Sequence, residues 1–411
     1  MSRLPPALHH RDFRRFWLGM LGSSFGTQMV SVAVGWQVYA IHQSAFDLGL
    51  IGLAEFLPLV LLALPAGQLA DRLPRTLIAA FSSFAEAVVV GLLLLVTIRG
   101  ADQLWPYVLL AALTGAASAI GAPAGRSLTP EIVPTELLAG ALAMRSVAGQ
   151  VSSVSGPAIG GLLFAVQPEL VYAVGALLLV AAAVVTLTVR QPDRVYLIGR
   201  RGRPTLESLL LGVRFIRSSP IILGAISLDL FAVLFGGAVA LLPLYARSIL
   251  HTGPFGLGVL RSATAVGALA AGIMLARKPL GGRAGRTLFL AVGIFGASMI
   301  VFGLSRWFPL SFAALAVSGF VDMLSMNIRS TTVALATPND VRGRVNAVEG
   351  VFIGASNELG AFESGVAASL IGAVPAVVAG GAITIGLALV WGRFFPALAH
   401  VDRLEDIRPD A

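Results

Sequence analysis

The chain has 411 residues, 56% of them hydrophobic and only 12% charged, with a mean hydropathy of +0.86. Soluble domains carry about 25% charged residues, so a water-soluble fold is excluded, and the lack of cysteine excludes disulfides and thiolate metal sites. A net charge of +8 does not point to nucleic acid here, because the basic residues sit between apolar runs, as topology signals do.

Residues 1–15 form a basic arm without an apolar run of its own. The run that starts at Phe16 is too long for a signal peptide and lacks a convincing cleavage site. A helix needs about 20 apolar residues to cross a bilayer. Runs of that kind predict spans at 16–41, 48–67, 76–98, 104–124, 138–165, 170–189, 221–246, 255–276, 287–305, 308–333, 344–371 and 374–395. The expected fold is all-α and integral to the membrane, with 12 transmembrane helices.

The connections are short except for residues 190–220. There Arg190, Arg194, Arg200, Arg201 and Arg203 precede an amphipathic piece from Thr205 to Arg217. This divides the chain into a six-helix bundle over 1–189, a cytoplasmic linker over 190–220 and a second six-helix bundle with a tail over 221–411. The amphipathic piece is expected as a short helix lying on the membrane surface.

Of the 29 basic residues, Arg99, Arg247 and Arg306 fall in odd-numbered loops, and Arg145, Arg261 and Arg329 fall inside spans. The others lie in the N-terminus, the even-numbered loops and the C-terminus. By the positive-inside rule both termini are cytoplasmic. The two halves also echo each other. Arg75-Thr76-Leu77 follows span two and Arg286-Thr287-Leu288 follows span eight, 211 residues later. Leu128-Thr129-Pro130 follows span four and Ala336-Thr337-Pro338 follows span ten, at an offset of 208. Two matches at nearly one offset support a duplication, hence pseudo-symmetric bundles, a layout typical of secondary transporters.

The loop Gly67-Gln68-Leu69-Ala70-Asp71-Arg72-Leu73-Pro74-Arg75-Thr76 reads as a tight cytoplasmic turn. It resembles the hallmark loop between the second and third spans of the major facilitator superfamily. Gly67, Leu69, Ala70, Asp71, Arg72 and Arg75 match, Pro74 replaces a glycine and Thr76 a basic residue. Gly156-Pro157-Ala158-Ile159-Gly160-Gly161 in span five is similar to the glycine-proline motif of the superfamily's antiporters, with Ser152 where that motif has an upstream glycine. Pro338 to Val345 resembles the entry to span eleven in the bacterial exporter branch, the enterobactin-exporter-like and macrolide-efflux-like proteins. The resemblance implies that Asp71 contacts the start of span eleven, where Arg342 and Arg344 lie, when the cytoplasmic side is closed. A helix N-terminus carries roughly half a positive charge, which suits a carboxylate. Arg126 at the end of span four is then the charge partner on the same side, and Arg72 and Arg75 hold neighbouring carbonyls or lipid phosphates.

A charge near the bilayer centre costs at least roughly 2.5–3.5 kcal/mol, so it should face a partner or a wet cavity. Seven acids fall within spans: Glu55, Glu86, Asp229, Asp322, Glu349, Glu358 and Glu363. Only three bases do, so some acids must be protonated or solvated. The superfamily fold lines its cavity with spans one, four, seven and ten. That implies Asp229 and Asp322 as cavity acids, with Gln28 and Thr114 at comparable depth. Arg329 lies two turns from Asp322 on nearly the same face and offers it a salt bridge. In span eleven Asn346, Glu349, Ser356, Asn357, Gly360, Glu363 and Ser364 form a polar stripe within about 80° at 100° per residue. Glu358 lies on the opposite side and needs another partner or a proton. Glu55 and Glu86 read as lone carboxyls. Gly149, Ser152, Gly156 and Gly160 in span five form a close-packing face of small residues.

These observations predict a secondary active exporter of a small amphipathic molecule (a drug, siderophore or metabolite), driven by inward proton flow through alternating access. No cofactor and no metal are called for, because the five histidines lie near span ends or outside spans. The expected setting is the bacterial cytoplasmic membrane. The expected partners are the substrate, protons and lipids, with no nucleic acid, and the chain is expected to be monomeric. An importer of a small polar nutrient or a non-transporting sensor would share the layout. A polytopic enzyme is disfavoured, because no span contains His or Cys and no Walker-type loop occurs.

Overall fold

A computed structural model describes residues 5–100, 102–190, 206–278, 281–338 and 341–407, except the side chains of Leu64, Asp71, residues 206–209 and Ala347. Arg194, Arg200, Arg201 and Arg203 of the linker, and Asn339 and Asp340 before span eleven, lie outside the described residues. The architecture is all-α. Spans one to six are the helices Arg11–His42, Ala45–Arg72, Arg75–Ile98, Trp105–Ile132, Leu138–Val166 and Pro168–Leu187. A linker helix, Leu206–Ser218, precedes span seven, which begins as Pro220–Gly236. Spans eight to twelve are Pro254–Arg277, Ala284–Leu304, Phe308–Ala336, Arg342–Ile371 and Ala373–Phe394.

Ten helical segments among the described residues are long and apolar enough to cross a membrane on composition alone. Spans one and eleven fall short of that criterion because they carry the most polar side chains. Helices also overrun the apolar runs at charged ends, since backbone hydrogen bonding continues where hydropathy stops. Span two runs through Asp71 to Arg72, so the expected tight turn shrinks to Leu73 and Pro74. Proline suits that place, because its missing N–H costs nothing before the first turn of span three.

Span seven departs furthest from expectation. Its predicted continuous run is broken: the helix stops at Gly236, Gly237 is extended (φ −79°, ψ 112°), and a 3-10 turn follows at Val239–Leu241. A short helical turn, Leu242–Leu244, then leads into a π-helical turn, Tyr245–Ile249. Paired glycines weaken a helix by about 1 kcal/mol each relative to alanine, and Pro243 cannot donate back to Val239.

Two compact units are present. One comprises Met1–Ile41, Ala54–Pro204 and Gly253–Ser262, and the other His42–Leu53, Thr205–Thr252 and Ala263–Ala411. The segments 42–53 and 253–262 begin 211 residues apart, the offset of the Arg-Thr-Leu echo. Just ahead of the helices they start, Gln43 (φ 53°) and His251 (φ 49°) both adopt the left-handed conformation. The duplication seen in two short motifs is thus repeated in backbone geometry.

In the first unit, Gly160 meets the backbone of Met29, where a built Cβ would lie 2.6 Å from its Cα, so only glycine fits without a shift. Gly156 packs on Gln28, and Gly161 on Pro254 and Phe255. Gly149 faces open space, so the close-packing face is shorter than its sequence pattern. Gln37 donates to Thr97 Oγ1 at 3.2 Å and accepts from Tyr172, tying spans one, three and six. In the second unit, Ile222, Leu228, Leu288, Val345 and Leu398 form an apolar core at the end bearing the basic loops. Ile216 of the linker helix belongs to that core, and Gly212 touches the Arg344 carbonyl. The linker helix therefore buries one face against span eleven, where the sequence predicts a helix on the membrane surface. Outward faces carry Leu177, Leu370 and Leu389, each more than 60% exposed, as suits contact with acyl chains.

Candidate functional site

In the second unit two acids from different spans meet at one guanidinium. Arg329 of span ten is buried, 8% exposed, and ion-pairs with Asp229 of span seven. Its Nε donates to the Ser325 carbonyl one turn back, at 3.3 Å. Glu349 of span eleven is close enough to interact electrostatically with the same guanidinium. The sequence reading offered Asp322 as the partner, and the structure corrects this. Seven residues along a helix is roughly 10 Å, and a guanidinium held at the Ser325 turn reaches across to span seven instead.

Asp229, Arg329 and Glu349 line a cavity of about 240 Å³. Its remaining walls include Ala225, Ile226, Leu230, Met326, Val333, Phe352 and Ile353, with Ser330 and Ser356 as further polar groups. One guanidinium thus faces two carboxyl groups at this site. On its other side Asp229 lines a second, small void of about 20 Å³ together with Asp322, Ser325 and Phe295. That volume holds about one water. Asp229 thus connects the larger cavity to Asp322, which remains exposed.

The polar stripe of span eleven largely turns toward span seven. Glu349 and Ser356 line the large cavity, and Gly360 packs on the Val233 and Leu234 carbonyls. Glu363 and Ser364 line a smaller void described below. Asn357 is exposed and donates to Ile353 O at 3.0 Å on its own helix. Glu358 lies on another side, its Oε2 3.7 Å from a Cβ built on Gly52.

In the first unit the hallmark loop forms a clamp. Arg75 ion-pairs with Glu131 and donates to Ser127 O at 3.2 Å and Ala70 O at 3.4 Å. It thereby joins the end of span two to the last turn of span four. Arg145 of span five donates to Gly125 O at 3.1 Å, Arg126 O at 3.2 Å and Thr129 Oγ1 at 3.0 Å. Pro130 cannot supply the N–H that Arg126 O would receive in a regular helix, and Arg145 supplies one instead. Glu131 is a partner of the hallmark loop that sequence reasoning missed, although it directly follows the Leu128-Thr129-Pro130 echo. The side chain of Asp71 lies outside the described residues. Gly67 has open space beside it, Arg72 is exposed, and Arg126 donates to Ala122 O at 3.3 Å. Arg342 donates to Ala334 O at 3.2 Å and Thr337 O at 3.3 Å, while Arg344 is exposed.

Other expected cavity residues have local partners. Glu86 is not a lone carboxyl: Ser118 donates to it at 2.9 Å. Gln28 donates to Ser153 Oγ at 3.1 Å. Thr114 spends its hydroxyl on Leu110 O at 3.0 Å, within its own helix. The backbone of Glu55 packs against Gly115.

A family model described as "Transmembrane secretion effector" matches residues 1–407. The chain belongs to this family. As a transmembrane secretion effector it is a multi-pass transporter of the major facilitator superfamily and not an enzyme. It is 27% identical over 369 residues to the multidrug efflux pump Tap of Mycolicibacterium fortuitum, covering 86% of this chain and 88% of that protein. It is also 27% identical over 396 residues to the enterobactin exporter EntS of Citrobacter koseri, covering 90% of each. Among solved structures, a bacterial homolog of the human lysosomal transporter Spinster superposes with a TM-score of 0.75 at 14% identity, covering 98% of this chain and 99% of that one. A D-xylose-proton symporter gives 0.69 at 14% identity, covering 94% and 98%. These two likenesses concern the fold.

Proposed function

We propose that this transmembrane secretion effector exports a small amphipathic molecule in exchange for protons, by alternating access. The observation that carries this reading is the Asp229–Arg329–Glu349 site in a mostly apolar cavity. Its single unit of missing positive charge is supplied either by a proton or by a cationic group on the substrate. Occupancy by one then opposes occupancy by the other, which is the requirement for exchange. Asp322, joined to Asp229 through a water-sized void, is the group that passes the proton on. The relatives named as exporters support the outward direction. In this reading the halves 1–189 and 221–411 are the moving bodies, joined by the linker 190–220. Both termini are cytoplasmic, the chain acts as a monomer in a bacterial inner membrane, and the proton gradient replaces any cofactor.

The test is efflux of a cationic amphipathic dye from energised vesicles containing the purified protein. Collapse of the pH gradient with the electrical potential clamped is expected to stop efflux. Efflux that continues unchanged removes proton coupling, and dye accumulation in the opposite direction identifies an importer. Dye binding without any counterflow identifies a sensor.

A further inference from the structure

The break in span seven takes no part in the proposed exchange of substrate and protons. Gly237 N–H returns to Val233 O at 3.2 Å, which leaves the carbonyls of Leu234, Phe235 and Gly236 outside the helical ladder. Non-helical backbone at membrane depth persists only where it is buried in protein or lines a wet cavity. This break does line a cavity, one of about 10 Å³ bounded by Phe235, Gly236, Gly237, Glu363 and Ser364 among others. Ser364 is buried, 7% exposed, and its hydroxyl donates to Gly237 O at 2.8 Å. The same hydroxyl is also in hydrogen-bonding contact with the Glu363 carboxyl. Glu363, the neighbouring residue on span eleven, forms no ion pair among the described residues.

We propose that the break in span seven and the Glu363–Ser364 pair of span eleven form a binding site for one sodium-sized monovalent cation. The donors are all oxygens: a carboxylate, a hydroxyl and the main-chain carbonyls of Gly236 and Gly237. Oxygen-only donor sets select hard cations over soft transition metals. A cavity of about 10 Å³ takes a single occupant the size of a water. One carboxylate neutralises one positive charge, so a monovalent ion leaves the site uncharged in a low-dielectric setting, whereas a divalent ion does not. Unwound backbone beside a half-helix end is also how membrane carriers hold sodium. An ion here ties span eleven to the broken end of span seven, which also carries Asp229.

The test uses the purified full-length protein in detergent, with its melting followed as sodium chloride replaces choline chloride at constant ionic strength and pH. Binding to the folded state raises stability with ligand concentration, so the wild type is expected to show a sodium-specific rise in Tm. Glu363→Gln is expected to lose that rise, and Glu358→Gln, on another side of the same helix, to keep it. Radioactive sodium binding to the wild type supplies a second readout, and Ser364→Ala is expected to weaken it at least tenfold. That readout decides the matter if Glu363→Gln does not fold. Equal melting in sodium and choline, a full sodium response in Glu363→Gln, or a response to pH alone overturns the proposal. Sodium binding needs neither substrate nor gradient, so its failure and the failure of proton-driven export are separately visible.

Discussion

Arg329 is the residue that two acids of the second unit, Asp229 and Glu349, share. It is almost completely withdrawn from solvent, and its two carboxylate neighbours come from two other helices. Removing one partner of a buried pair costs about 3–5 kcal/mol, because the other charge is left uncompensated. The two sides of this site are not equivalent, however. Arg329→Met strands both Asp229 and Glu349, whereas Asp229→Asn leaves Arg329 with Glu349. Arg329→Met is therefore expected to lower the melting temperature clearly more than Asp229→Asn. Equal losses would mean that Glu349 does not share the guanidinium. The participants at this site were readable from the sequence, since each is a rare charge inside an apolar run. Their pairing was not. Helical spacing shows only which residues share a face of one helix, and Arg329 chose an acid on another.

At the scale of elements, span four shows how a helix with proline near its end is held. Pro130 withholds a main-chain donor from Arg126 O, and Arg145 brings a side-chain donor to that carbonyl from span five. A carbonyl left without a partner away from water costs about 1–3 kcal/mol. Arg145→Met is expected to destabilise by that amount, and by less in a Pro130→Ala background, where residue 130 again supplies an N–H. A double-mutant cycle on thermal stability measures the difference, and strict additivity would separate Arg145 from the proline. The echo at Leu128-Thr129-Pro130 was read only as a sign of duplication, and spacing along one chain does not show that Arg145 of another helix meets it. Span seven is a second case. Its unbroken hydropathy concealed a helix break, because glycine and alanine keep a run apolar while removing what holds the helix together. The linker helix is a third case. Amphipathicity showed that one face must be buried but could not say whether lipid or protein covers it, and span eleven does.

For the whole molecule, the family match extends over residues 1–407, so the transporter architecture is a property of the entire chain. The hallmark loop contributes Arg75 to a described clamp with Glu131, while the implied role of Asp71 remains a proposal about the transport cycle. Asp71→Asn is expected to slow dye efflux severalfold while leaving dye affinity in detergent unchanged. That separation of rate from binding marks a residue that stabilises one state of the cycle, and a normal efflux rate would refute the assignment.

Composition and apolar run length by themselves determined that this chain lies in a membrane and crosses it with 12 helices, because the bilayer imposes one length on every span. Residue spacing likewise pointed to the duplication, since both halves keep their turn residues at nearly one offset. Tertiary structure alone decided which charges meet, where span seven opens, and what covers the linker helix. Those outcomes depend on contacts between helices far apart in the chain, and periodicity within one helix carries no information about its neighbours.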